Sequence, residues 1–501
     1  MDKLQEQFKK DFEQSNKPEL SFDLRQLEPN TKKTKHQIKP YKMVLIALAA
    51  AMGTLIALPA AAFIAMSFKI DESVKFSNRQ YSMNDLKIAE SNTFKKLNEI
   101  FYPSGQKPTE SVIRNDEKAA YDSFTNTTYH SLVDSSKQDN MSYSVVGLYS
   151  LLNELSNASS REDLSYHLNE LLGLDETSRV TFYEKIMKAN SFAEQDSTIQ
   201  LKNAAFFDTK YDYNQTFVNT LTKLYCEAYQ LTFANEASKI VEWVNNAVNS
   251  RGFIDQNFLE MDDETRLYLF STLYFKNAWA NKYLSEDNIE DDFHLANGSI
   301  EKTTFMRHSY FAQTYFDYGS YISVRDYYYG GNASVTYLVP KKVEDNIFEL
   351  TKNDNIFEEN PKYKKYAGAA DSESYKNFKI NLKTPKFNIK SDVDFRPCLE
   401  SLGFGSIFDR YTDSFKNAFS GEKVKDKTTW LQTLKQRNEV EFNEDGSIVR
   451  SVSMAGMAVG EAAPMQPDGT LDVDLNQPFI YIIRDINDNP IFVGHVDNPR
   501  A

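Results

Sequence analysis

Hydrophobic positions along this chain follow three different periods. From Met43 to Phe68 they run for 26 residues without a charge. As a helix that stretch is about 39 Å long, more than the roughly 30 Å of a bilayer's hydrocarbon core, so it predicts one transmembrane helix over residues 43–68. Farther on, Ile240, Trp243, Val244, Ala247 and Val248 fall at i, i+3, i+4, i+7 and i+8, the stripe of an amphipathic helix, with Gly252 as its expected stop. The runs Leu267 to Phe275, Val335 to Val339 and Phe479 to Ile483 are short, apolar and rich in β-branched and aromatic residues, which predicts buried strands. Past Asn115 the two periods alternate, as in a large α+β domain.

Charge gives the predicted span a direction. Lys32, Lys33, Lys35, Lys39 and Lys42 crowd its N-terminal side, whereas Lys69, Asp71 and Glu72 open the other. The positive-inside rule then puts residues 1–42 in the cytoplasm as a polar tail and everything after Phe68 outside, in a single-pass protein of the cell membrane. Ala60, Ala61 and Ala62 after Pro59 would also suit a signal peptidase, and the domain would then be secreted. Residues 69–114 mix short apolar patches with Asn, Ser, Lys, Pro103, Gly105 and Pro108 and read as a stalk or linker. The net charge of −14 argues against a nucleic-acid partner, which needs clustered Lys and Arg. Only Cys226 and Cys398 occur, so a disulfide framework or zinc ribbon is not available, and both are expected to be buried free thiols. No motif for a metal, cofactor or catalytic nucleophile stands out, and the six histidines are scattered, so neither an enzyme nor a cofactor is expected.

Several stretches, in order, resemble the serpin superfamily. Thr265-Arg266-Leu267-Tyr268-Leu269-Phe270-Ser271-Thr272-Leu273-Tyr274-Phe275-Lys276-Asn277-Ala278-Trp279 is similar to that family's central strand and its Tyr-Phe-Lys-x-x-Trp signature. Pro385 to Ile389, then Leu399, Leu402-Gly403-Phe404 and Ile407-Phe408, resemble the strand and helix before its reactive loop. Asn476-Gln477-Pro478-Phe479, Ile483-Arg484-Asp485 and Phe492 to Pro499 end the chain as serpins end. The resemblance covers roughly residues 115–501. It implies three β-sheets with surrounding helices and an exposed reactive-centre loop, in a monomer that inhibits a serine or cysteine peptidase as a suicide substrate. The loop is cut and then inserted into the main sheet.

In that reading Glu444, Asp445, Gly446 and Ser447 are the hinge. In a strand Ser447, Val449, Ser451 and Ser453 share one face and Ile448, Arg450 and Val452 the other. With the first set toward the core, no charge is buried. Inhibitory serpins usually carry alanines after the hinge, and this departure leaves open a non-inhibitory serpin that acts as a surface binding module. Ser144, Ser271 and Gln436 occupy the family's polar gate behind the sheet, the last two in place of an Asn and a His. Counting from the hinge puts the scissile bond at Gly460-Glu461, and counting back from Pro478 puts it near Met465-Gln466. Met457-Ala458 is a third candidate. Ala462-Ala463-Pro464-Met465, with no Arg or Lys from Ser451 to Gln477, suggests an elastase-like, chymotrypsin-like or subtilisin-like target.

Overall fold

The computed structural model describes residues 93–103, 108–135, 140–194, 197–312, 314–357, 364–366, 378–425, 427–447 and 469–500. The expected membrane span over 43–68 lies outside them, and among the described residues no helix is long and apolar enough to cross a membrane.

The main sheet is mixed. Its strands are β1 (Lys95–Lys96), β2 (Ser197–Asp208), β3 (Cys226–Leu231), β4 (Leu267–Ala278), β5 (Phe387–Asp394), β6 (Lys435–Asn443) and β7 (Gly446–Ser447), in the order β1-β3-β2-β4-β7-β6-β5, with Ser191–Ala193 added against β2. Helix α1 (Asn115–Ser135) and helix α2 (Val145–Ala158) belong to the large core on one side of it, and helix α3 (Phe233–Ala247) packs on the other. The central strand β4 therefore has apolar side chains on both faces. Leu267, Leu269, Leu273 and Phe275 meet the large core, while Tyr268 and Phe270 meet Phe206, Phe233 and Trp243 beside α3. That double burial produces the near-continuous apolar run seen in the sequence.

A second sheet contains Asn140–Ser144, Tyr321–Tyr327, Ala333–Pro340, Phe479–Asp485 and Pro490–Val496. A third contains Ile289–His294, Ile300–Ala312, Phe378–Pro385 and Gly469–Asp474. The three predicted strands are all present, each extended by a few residues.

Two local expectations are corrected. Helix α3 stops at Ala247, not at Gly252, because Asn249 takes the left-handed conformation (φ 51°) and Asn245 turns its side chain to cap the backbone of Ile254. Asparagine tolerates that conformation better than other residues with a Cβ. The stretch read as spacer also reaches the domain earlier than Asn115. Lys95 and Lys96 pair with Gln230 and Tyr229, Phe94 stacks on Tyr229 at 5.1 Å, and Asn98 bonds Ala228 and Cys226. Apolar Phe94, Ile100 and Tyr102 are buried there, so this part covers the sheet's edge.

Cys226 and Cys398 are both buried free thiols. Above Cys226, helix α2 carries Glu154, which is 1% exposed with no hydrogen-bond partner for either oxygen. Burial pushes its carboxyl up to about 8, the neighbouring Cys226 thiol opposing only in part. A carboxyl raised in the folded state holds a proton that the unfolded chain has lost, so stability falls as pH rises from the unfolded value near ~4.3 to about 8. Glu154→Gln is expected to be the more stable protein at pH 8 and to remove a slope of about 1.4 kcal/mol per pH unit between pH 6 and 8. Urea unfolding of both proteins at those two pH values checks this, and parallel pH dependences would count against it.

Candidate functional site

Among the described residues, β4 and β6 are neighbours only through β7. Gly446 pairs with Asn443 on one side and Ala278 on the other, and Ser447 pairs with Phe442 and Asn277. Below this point, among the described residues, β4 pairs only with β2 and β6 only with β5. Their facing edges border a slot of about 760 Å³, lined by residues 270–275 and 435–441, with Asn245 and Asn246 of α3 over it. Unpaired strand edges inside a sheet present rows of free N–H and C=O groups, a template for one more strand.

The hinge stands at the mouth of the slot. Asn443–Gly446 forms the turn from β6 into β7, and Trp279 fixes it: its indole Nε1 donates to the Asn443 carbonyl at 2.8 Å and its backbone N–H to Asp445 at 3.3 Å. Trp279 stacks on Tyr328 at 4.8 Å, and Tyr328 Oη donates to Ser447 Oγ at 2.6 Å. Partial burial works against the Glu444 charge, but Lys386 Nζ at 2.9 Å and the Asn288 amide hold the carboxyl below its usual range. Gly446 has φ +156°, and a Cβ there would overlap the Asn277 carbonyl oxygen and lie 2.9 Å from Ala278 Cα. Only glycine fits between the two backbones.

Farther down, the wall of the slot is polar. Gln436 Oε1 accepts from Ser144 N at 2.7 Å and its Nε2 donates to Ser144 O at 3.0 Å. Asn438 Nδ2 donates to Ser142 O at 2.9 Å, and Ser391 Oγ accepts from Ser142 N at 3.3 Å. Ser144 Oγ also caps α2, accepting from Gly147 N. Of the three positions singled out in the sequence, the structure joins Ser144 and Gln436 directly. Ser271 lines the same slot, yet its buried hydroxyl has no partner among the described residues.

A family model described as Serpin (serine protease inhibitor) matches residues 119–499. The chain belongs to the serpin family. Leukocyte elastase inhibitor A of Rattus norvegicus is 23% identical over 383 residues, covering 74% of this chain and 96% of that protein. Alpha-1-antiproteinase 2 of Equus caballus is 25% identical over 344 residues, covering 68% and 75%. Among solved structures, the thermophilic serpin tengpin in its native state matches with a TM-score of 0.64 at 20% identity, over 78% of this chain and 96% of that one. Serpins are generally peptidase inhibitors rather than enzymes.

In this serpin Glu444 and Asp445 lie in the turn after β6, and Gly446 and Ser447 form β7 of the main sheet. The candidate bonds Gly460-Glu461, Met465-Gln466 and Met457-Ala458 lie outside the described residues. Sequence reasoning missed Asn438, Ser391 and Tyr328. Asn438 was within reach, since residues 436, 438, 440 and 442 are the buried face of β6, and two amides on the inward positions of an alternating strand signal a polar network. Tyr328 gave no signal, because one tyrosine among 29 is marked only by what it touches.

Proposed function

We propose that this serpin is a suicide-substrate inhibitor of an extracytoplasmic, elastase-like serine peptidase, held at the cell surface by the segment over residues 43–68. The observation that carries the reading is the open slot between β4 and β6 with the hinge already paired at its mouth.

The slot also suits the segment that would fill it. Continuing the register of β7 downward sets Val449 between Phe275 and Val440, Ser451 between Leu273 and Asn438, and Ser453 between Ser271 and Gln436. Ser447 faces the core, hydrogen-bonded to Tyr328, so the residues alternating with it do the same on insertion. Val449 then meets apolar neighbours, and Ser453 brings a hydroxyl to the orphaned Ser271. On the other face Arg450 falls between Tyr274 and Glu439, an opposite-charge cross-strand pair. The bulky residues that replace the family's alanines therefore have matching places.

The length of β4 favours one of the three candidate bonds. Positions from Lys276 down to Leu267 take residues 448–457. A cut at Met457-Ala458 leaves no chain between the foot of β4 and the trapped enzyme. A cut at Met465-Gln466 leaves Ala458–Met465, roughly 26 Å of slack, and a slack tether does not press the enzyme against the domain. A cut at Gly460-Glu461 leaves Ala458–Gly460, short enough to hold it there. Gly460 would enter the primary pocket and Ala458 and Val459 the neighbouring subsites, all small as an elastase-like cleft prefers, and the relative named for leukocyte elastase points the same way.

The chemistry belongs to the peptidase. Its nucleophile attacks the Gly460 carbonyl, the amine of Glu461 leaves, and the acyl-enzyme is carried down the slot before water can release it. Incubation of the full-length chain with pancreatic elastase is expected to give a complex that survives SDS and a released peptide beginning at Glu461. Clean loop cleavage with no complex would overturn this reading and leave the surface binding module.

A further inference from the structure

A second cavity of about 190 Å³ adjoins the foot of the slot, with which it shares Phe270, Ser271 and Lys435, between α2, the first residues of β4 and the chain entering β6. Its wall is apolar on the α2 side, with Leu151, Leu155, Leu269, Phe415 and Leu434, and Arg266 is set into it. The charges around the cavity are matched with one exception. Lys435 pairs with Glu260, and Glu264 with Arg410 at 3.0 Å. No carboxylate among the described residues pairs with Arg266. Its guanidinium lies against Tyr211 at 5.1 Å and Trp430 at 5.6 Å, Nη1 donates to Thr428 O at 3.0 Å, and Nε is buried with no acceptor.

A buried guanidinium N–H without an acceptor, on the rim of an apolar hole, is a half-made site. The unpaired hydroxyls of Ser271 and Thr433 lie on the same wall, and each could donate to an anionic head beside Arg266. We propose that this cavity binds a small amphipathic carboxylate, its anionic head on Arg266 and its tail against Leu151, Leu155 and Leu269. An apolar cavity of about 150 Å³ holds a benzene molecule, so 190 Å³ suits a hydrocarbon tail of roughly seven carbons with its carboxylate on Arg266, such as a medium-chain fatty acid or an arylalkanoate. A cationic or long-chain ligand is excluded by the charge of Arg266 and by the volume.

The site has a consequence for the loop, which rests on the insertion reading above. Inserted residues 455–457 would pair with Leu269–Leu267, the strand residues that wall the cavity. An occupant there blocks the last step of insertion and turns the inhibitor toward substrate behaviour.

Titration calorimetry on the full-length chain with octanoate is expected to show one site, with a dissociation constant on the order of 100 µM. Octanol, which lacks the charge, is expected at least about tenfold weaker, and octylamine is expected not to bind. Arg266→Gln should lower octanoate affinity to that of octanol. Ala158→Leu, which fills the cavity, should abolish binding with the thermal midpoint retained. Octanoate binding no tighter than octanol, or binding that survives Ala158→Leu, overturns the proposal, and the alcohol comparison needs no variant to fold. A peptide of residues 448–458 is expected to anneal into the domain more slowly in octanoate. Should it not anneal even without octanoate, the insertion reading fails while the carboxylate site stands on its calorimetry.

Discussion

Ser451→Arg is expected to convert the protein from inhibitor to substrate, with loss of at least about nine-tenths of the SDS-resistant complex and no loss of loop cleavage. The register from β7 carries residue 451 between Leu273 and Asn438 on the core face, where Asn438 is already committed to Ser142. A guanidinium inserted there has no carboxylate partner, and an unpaired buried charge costs several kcal/mol. Insertion competes with hydrolysis of the acyl-enzyme, so a barrier higher by only about 1.4 kcal/mol already shifts that partition tenfold. Arg450→Ser is the matched control. On insertion residue 450 would take the opposite face, beside Glu439, and the change is expected to alter complex yield less than about twofold. The ratio of cleaved to complexed protein on a denaturing gel measures both variants. Equal yields from Ser451→Arg and the wild type would mean that residue 451 never enters the core.

Gly446→Val carries the second large effect. Any Cβ at 446 overlaps the Asn277 carbonyl and approaches Ala278 Cα at 2.9 Å, so β7 cannot keep its place between β4 and β6. Expulsion of the hinge breaks the pairing of Gly446 and Ser447, strands the Tyr328 hydroxyl that now donates to Ser447, and frees the turn that Trp279 holds. The expected loss is about 2–4 kcal/mol, together with loss of inhibition, since the strand can no longer start. Thermal unfolding and the fluorescence of Trp279 check the two consequences separately. A variant of wild-type stability with an unchanged Trp279 signal would show that the hinge does not sit in the sheet in solution. Gly446→Ala is expected to show the same change in smaller measure, because its backbone clash is identical and only the two extra methyl groups are missing.

Elements carried by their own residues were legible in the sequence. The stripe of Ile240, Trp243, Val244 and Ala247 is the buried side of α3, and the apolar run from Leu267 is the strand covered on both faces. The stop of α3 was misplaced because a left-handed asparagine ended the helix before the more conspicuous glycine.

The sequence by itself determined the period of each element and the order of the family's strands. These are local properties, fixed by neighbours a few residues apart. The tertiary structure alone decided that β4 and β6 stand apart below Ser447, that Gln436 reaches Ser144 across 292 positions of chain, that Phe94 closes an edge of the main sheet, and that Arg266 is left without a carboxylate. Each depends on which distant segments meet and at what register, and neither period nor composition encodes a distance between strands that are far apart in the chain.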